Sequence, residues 1–226
     1  MHPIKMFLVG IVLIFVIFIS SNNLLFNMIH AGKEQVRIIF LGDNFHEVDK
    51  DNLYRCRQLS DTNLEQYINQ YNIKTILNVR GYDEEPEIRK REQEICKKNN
   101  VLFFGVPIRG KSVSEYDIQQ VMAILETTPR PIIVHCYAGA DRTGLTCALY
   151  RLLNGRSIDE ALQELSVRYG HFSWLDPVFK EIITNIENTY PNIITSMKKQ
   201  CSHYHFSMQE LEGIDAQQLL DKISGN

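Results

Sequence analysis

Ten consecutive residues carry the chemistry most legible in this chain: His135-Cys136-Tyr137-Ala138-Gly139-Ala140-Asp141-Arg142-Thr143-Gly144. The apolar run Pro131–His135 leads straight into Cys136, and a helical pattern follows from Thr143 to Leu153. A cysteine between a strand and a helix start sits where inward-pointing loop N–H groups and the helix dipole bind an oxyanion. Such a setting lowers a thiol pKa from about 8.5 toward roughly 3.5–7.5, which makes a thiolate at neutral pH. Arg142 returns over the loop mouth after five intervening residues, with a planar fork that can grip two phosphate oxygens together. Gly139 allows the tight backbone that turns N–H groups inward. Thr143 can donate its hydroxyl to the sulfur when water cleaves a phosphocysteine. Tyr137, Ala138, Gly139, Ala140, Asp141 and Arg142 are the expected phosphate-contacting residues. A lone buried cysteine is ordinarily packing and a lone arginine ordinarily a surface charge. At this spacing, the pair reads as a covalent phosphoryl-transfer site.

The elements that position this loop alternate along the chain. Short strands are expected at Val36–Leu41, Asn52–Cys56, Lys74–Val79, Val101–Val106 and Pro131–His135. Between them lie helices capped by Ser60 and Ser114 or opened by Pro86. A capping box, Ser157 with Glu160, starts a later helix, and Asp176-Pro177 starts another. Strands separated by helices predict an α/β fold with a central, mostly parallel sheet flanked by helices. The last strands are expected to be central, with ligands beyond their C-terminal ends. Ser207 with Glu210, then Leu211, Leu219, Leu220 and Ile223, suggests a peripheral helix near the C-terminus.

The loop resembles the signature of the cysteine-based protein tyrosine and dual-specificity phosphatases, His-Cys-x5-Arg-Ser/Thr, and within it the small bacterial dual-specificity phosphatases. Leu53-Tyr54-Arg55, Leu77-Asn78-Val79-Arg80-Gly81 and Ala148-Leu149-Tyr150-Arg151 extend the likeness over about residues 36–190. The resemblance implies Cys136 as nucleophile, Arg142 as phosphate clamp and Thr143 as the hydroxyl of the hydrolysis step. It implies no cofactor. The substrate would be a phosphotyrosine or phosphoserine protein, or a phosphorylated lipid or inositol.

The family's general acid is usually an Asp some thirty residues before the cysteine, but here that stretch reads Phe104-Gly105-Val106-Pro107-Ile108-Arg109-Gly110-Lys111. Three substitutes stay open. Asp141 lies inside the loop, as in the Cys-x4-Asp-Arg arrangement of myotubularin-like phosphatases. Asp117 also suits the first turn of a helix beside Ser114. Asp83, with Glu84 and Glu85, follows a strand end. His135 is expected to support the loop, and His171 to be a cap or core residue. Arg80, Arg109 and Lys111 are candidates for the pocket rim or for plain surface charges. Cys56 or Cys147 could pair with an oxidised nucleophile, although burial is their default role.

Residues 1–32 carry a single charged side chain, Lys5, followed by the apolar run Met6–Ile19. That run has the length of a signal-peptide core. Continued through Ser20–Asn23 to Phe26, it could also span a bilayer, for which about 20 residues are needed. Small-residue cleavage sites are poor. The expectation is therefore an uncleaved anchor or a cleaved signal over 1–32, a catalytic domain at 36–190 and an extension at 191–226. The domain would lie on the extracytoplasmic side of the membrane, or be secreted or periplasmic after cleavage. Five cysteines are an odd count for an exported chain, so one free, reactive thiol is expected. A net charge of −3 argues against a nucleic-acid partner. The sequence leaves oligomeric state open. Two other readings compete: a phosphate-binding module without turnover, and a rhodanese-like sulfurtransferase, which also places Cys at a strand end.

Overall fold

A computed structural model describes residues 40–80, 86–109 and 112–225. The expected head segment, Asp83–Glu85 and Lys111 lie outside the described residues. The compact unit that carries the loop is Asp43–Asn226.

Its centre is a five-stranded sheet. The strands are β1 (His46–Asp49), β2 (Leu53–Arg57), β3 (Thr75–Asn78), β4 (Leu102–Gly105) and β5 (Ile132–Cys136), in the order β1-β2-β5-β3-β4. β1 is antiparallel to β2; β2, β5, β3 and β4 run parallel. The expected α/β class with a mostly parallel sheet is present. Of the two last strands, β5 is central and β4 is at the edge. The expected strand at Val36–Leu41 falls mainly outside the described residues, and its last two positions are helical. The added β1 arises from a short hairpin turn that the sequence reading did not resolve.

The crossovers are α1 (Asp61–Gln70), α2 (Pro86–Lys98) and α3 (Glu115–Thr127). After β5 come α4 (Asp141–Leu153), α5 (Ile158–Leu162), α6 (Val178–Thr184), α7 (Ile186–Thr189), α8 (Ile193–Cys201) and α9 (Ala216–Ser224). Ser60 caps α1, and Ser114 and Ser157 make capping boxes with Asp117 and Glu160. Each cap satisfies first-turn N–H groups that otherwise have no helical partner.

All five residues of β5 are buried, because a parallel strand inside such a sheet is covered on both faces. Alternation sends Ile132, Val134 and Cys136 into a core shared with Met122 of α3 and Leu145 and Leu149 of α4. Ile133 points the other way, among Leu64 and Ile68 of α1 and Cys96 of α2. The chain passes from β2 to β3 and β4 before returning to β5, which lies between β2 and β3. The C-terminal end of β5 is therefore a topological switch point, where ligands of open α/β sheets bind.

The C-terminal segment is not peripheral. Ser207 and Glu210 do bond reciprocally, but they open only the 3₁₀ turn Gln209–Leu211. Asp215 and Gln218 cap α9 itself, and its Leu219, Leu220 and Ile223 are buried in the main core. Burying each such side chain contributes about 1.5–3 kcal/mol relative to exposure, so this segment is part of the domain's core. No helix among the described residues is long and apolar enough to cross a membrane.

Candidate active site

Cys136 closes β5 and Asp141 opens α4, leaving Tyr137–Ala140 as the loop between them. Its four carbonyls all accept hydrogen bonds. Tyr137 O accepts from the Gln58 backbone N–H at 3.1 Å, and Ala138 O accepts from Asn44 Nδ2 at 3.1 Å. Gly139 O accepts from Asn44 Nδ2 at 3.3 Å and from Arg55 Nη2 at 2.9 Å. Ala140 O accepts from the Gly144 N–H at 2.9 Å and from Arg55 Nη2 at 3.4 Å. Across a trans peptide the carbonyl and the next N–H point in opposite directions. Anchoring these carbonyls therefore turns the N–H groups of Ala138, Gly139, Ala140 and Asp141 inward, as an anion nest requires.

Arg55 is the main brace. It is 0% exposed and its Nη1 donates to Glu164 Oε2 at 2.8 Å and to Glu164 O at 2.9 Å. Its guanidinium also stacks 3.9 Å from the Tyr169 ring centroid. Arg151 Nε shares the same carboxylate through Oε1 at 2.9 Å. The buried charges are thus paired and hydrogen-bonded, the condition under which burial is tolerable. Gly139 (φ +70°) passes so close to β2 that a Cβ there would lie 2.4 Å from Cys56 O, which admits only glycine.

Cys136 is 3% exposed. Arg142 Nη1 donates to the backbone O of Arg80, just beyond β3, which orients the guanidinium beside the loop. The Arg80 guanidinium lies 4.7 Å from the Tyr137 ring centroid, and Arg80 itself is buried. Thr143 is fully buried, and its Oγ1 has no hydrogen-bond partner among the described residues. A buried hydroxyl without a partner is costly, so it is available to a group that enters the loop.

Two of the general-acid candidates, Asp117 and Asp141, lie among the described residues. Asp117 is tied up in the α3 cap: its Oδ2 accepts from Ser114 N at 2.9 Å and from Ser114 Oγ at 2.7 Å. Asp141 Oδ1 meets His171 Nδ1 at 2.8 Å, so His171 is a core residue with a link to the loop. Arg109 is exposed. Cys56 and Cys147 are buried, and burial pushes both thiols up, Cys147 to about 12. Among the described residues no His, Cys, Asp or Glu cluster could hold a metal ion. A separate cleft of about 760 Å³ between α2, β4 and residues 207–215 is lined by none of the loop residues.

The sequence reading missed Asn44, Glu164, the bracing role of Arg55, and Glu92, a buried α2 carboxylate that accepts from Asn78 Nδ2 at 2.8 Å and from Gln58 Nε2 at 3.3 Å. Arg55 had a signal, since a charged residue in an otherwise buried strand needs an internal partner. Glu92 lies in a helix rich in charged residues and had none.

A family profile described as a DSP-PTPase phosphatase fused to NAD+ kinase matches residues 34–177. The chain belongs to that phosphatase family. Its domain is similar in fold to the core catalytic domain of the PP-IP phosphatase SIW14 from S. cerevisiae, at 20% identity and a TM-score of 0.57. That likeness covers 71% of this chain and 91% of the other. TpbA from P. aeruginosa in complex with pTyr is similar at 17% identity and a TM-score of 0.53, again over 71% and 91% of the two chains. A beta-lactamase hydrolase-like protein from Xylella fastidiosa is 29% identical over 112 residues, 48% of this chain and 26% of that relative. The chain thus matches about a quarter of that relative's length.

Proposed function

We propose that this phosphatase hydrolyses phosphomonoesters through a phosphocysteine on Cys136. The observation that carries this is the bonding of the carbonyls of Tyr137–Ala140 to groups around the loop, which turns the N–H groups that follow them toward the space a phosphate would fill beside Cys136. The Cys136 sulfur attacks phosphorus and the P–O bond to the leaving group breaks, with Asp141 supplying the proton to the departing oxygen. Water then displaces the sulfur, assisted by the Thr143 hydroxyl, and inorganic phosphate leaves. Positioning and charge stabilisation are what phosphoryl transfer needs from the protein.

The substrate class we favour is a phosphorylated tyrosine or serine side chain. Tyr137, Ala138, Gly139 and Ala140 bring no charge to the loop, which suits one phosphate better than a polyphosphate. TpbA, captured with pTyr, supports the protein substrate, and SIW14, a PP-IP phosphatase, supports a phosphorylated inositol as the second reading. Steady-state turnover of phosphotyrosine and phosphoserine peptides, phosphoinositides and p-nitrophenyl phosphate by the purified protein tests this. Activity on phosphopeptides above that on inositol phosphates is expected. Tight vanadate binding without turnover of any substrate would instead make it a phosphate-binding module. On sequence pattern alone, residues 1–32 would tether the domain to the extracytoplasmic membrane face, which carbonate extraction tests.

A further inference from the structure

Among the described residues, β4 has β3 on one side and no strand on the other. The Leu102 N–H donates to Lys74 O at 2.9 Å, and the Val106 N–H just beyond β4 donates to Asn78 O at 3.0 Å, both toward β3. Backbone groups alternate in direction along a strand, so the N–H and C=O of Phe103 point to the outer edge. Neither has a backbone partner among the described residues. Strand edges are usually blunted by a charge, a proline or a bulge, whereas β4 reads Leu-Phe-Phe-Gly. The cleft of about 760 Å³ lies along this edge, within the range of about 300–1,000 Å³ usual for ligand sites. Phe103, Gln93 of α2, and Leu211 and Ile214 of the C-terminal segment line it. Its cations, Arg89 and Lys97, are matched by Glu212 and Asp215. A polyphosphate or nucleotide therefore finds no excess of positive charge, while an extended backbone finds a donor and an acceptor. The cleft is also continuous with the catalytic end of the sheet. Gly105, which lines it, is level with Asn78 of β3, and Asn78 with His135, one residue before Cys136.

We propose that this cleft binds an extended segment of the phosphoprotein substrate, which adds as a strand along the outer edge of β4. The inference rests on the phosphoprotein reading of the loop and names the part of the substrate that lies beyond the phosphorylated side chain. Neighbouring strands are about 4.8 Å apart, so a strand beside β4 lies three spacings, about 14 Å, from β5. An extended chain covers that distance in about four or five residues. Hydrogen bonds to the Phe103 N–H and C=O hold the segment, and Leu211 and Ile214 offer apolar contact to its side chains. These contacts lie away from the reacting atoms and bind ground state and transition state alike. They act on KM and leave kcat unchanged.

The test uses the full chain and three kinds of phosphotyrosine peptide. One has short flanks of about two residues, and a second has a flank of about eight alternating Val and Thr residues on either the N- or the C-terminal side. The third repeats the long flanks with Pro at alternate positions, which removes strand N–H groups. One of the two long-flanked peptides is expected to show a KM about tenfold below that of the short peptide at equal kcat, the effect of two ordinary hydrogen bonds. Its proline-interrupted version should return to the KM of the short peptide. In Gln93→Trp, whose side chain fills the cleft, long and short peptides should have equal KM. Amide exchange in Cys136→Ser, read residue by residue by NMR, reports the same contact without turnover. Exchange of the Phe103 N–H is expected to slow by about tenfold or more with the long-flanked peptide and to stay unchanged with the short one. Equal KM for all flanks, a gain that survives the prolines, or an unaltered Phe103 exchange rate overturns the proposal. If Gln93→Trp does not fold, the proline peptides decide in its place. Protection of Phe103 by the long peptide without turnover of any phosphopeptide fails the phosphatase reading alone and leaves the cleft a peptide site.

Discussion

His171 Nδ1 stands 2.8 Å from Asp141 Oδ1, joining the segment after the Val167–Tyr169 turn to the first residue of α4. His171 is fully buried and cannot swing away, so the Asp141 carboxyl is held at the loop's Arg142 side. If this carboxyl protonates the leaving oxygen, its loss must matter most for poor leaving groups. Asp141→Asn is expected to slow phenyl phosphate turnover by about 10²–10⁴-fold and p-nitrophenyl phosphate turnover far less. Comparing kcat for the two esters checks it, and equal slowing would reduce Asp141 to a loop brace.

The brace beneath the loop predicts a stability effect. Arg55→Met leaves the Gly139 carbonyl with one donor fewer and Glu164 dependent on Arg151 alone. Removing one partner of such a buried pair costs about 3–5 kcal/mol. Urea unfolding of the variant measures it, with a lower midpoint expected. A change within experimental error would mean that Arg55 is not anchoring the loop.

At Gly139 the restriction is steric and conformational together. Gly139→Ala puts a methyl group against the Cys56 carbonyl in a left-handed backbone. A cost of order 1–3 kcal/mol is expected, with weaker vanadate binding because the loop must open to relieve the clash. Calorimetric titration with vanadate reads the second effect.

Acid stability follows from Glu92. Its carboxyl is depressed in the folded protein, so the stability it contributes is complete above the ordinary value of 4.5 and is lost as pH falls below it through the depressed value. Glu92→Gln removes that dependence, and its stability should fall less steeply than wild type between pH 4.5 and the acid transition. Urea midpoints across that range check the slope; parallel curves would contradict the assignment.

The positions of Cys136, Arg142 and Thr143 were legible in the sequence because strand, loop and helix signals meet within ten residues. Local caps were legible too: Ser60, Ser114 and Ser157 all sit where their side chains close a first turn. The strand order was less so. β4 and β5 have similar apolar content, and only the crossover geometry puts one at the edge and the other at the centre. The supports of the loop were the least legible. Asn44, Glu92 and Glu164 lie 94, 34 and 109 residues in sequence from the partners they hold, Ala138, Gln58 and Arg55. Nothing local distinguishes such residues from solvated surface groups. Leu219 and Ile223 were read as part of a peripheral helix because their burial depends on α3 packing against them.

Mass spectrometry of the protein, acid-quenched within milliseconds of mixing with p-nitrophenyl phosphate, tests the phosphocysteine most directly. One phosphoryl group is expected on the peptide that contains Cys136, more persistent in Thr143→Ala and absent in Cys136→Ser, whose turnover should fall by roughly 10³-fold or more. Turnover that persists in Cys136→Ser, or that proceeds in the wild type with no phosphoryl group ever on Cys136, would contradict it.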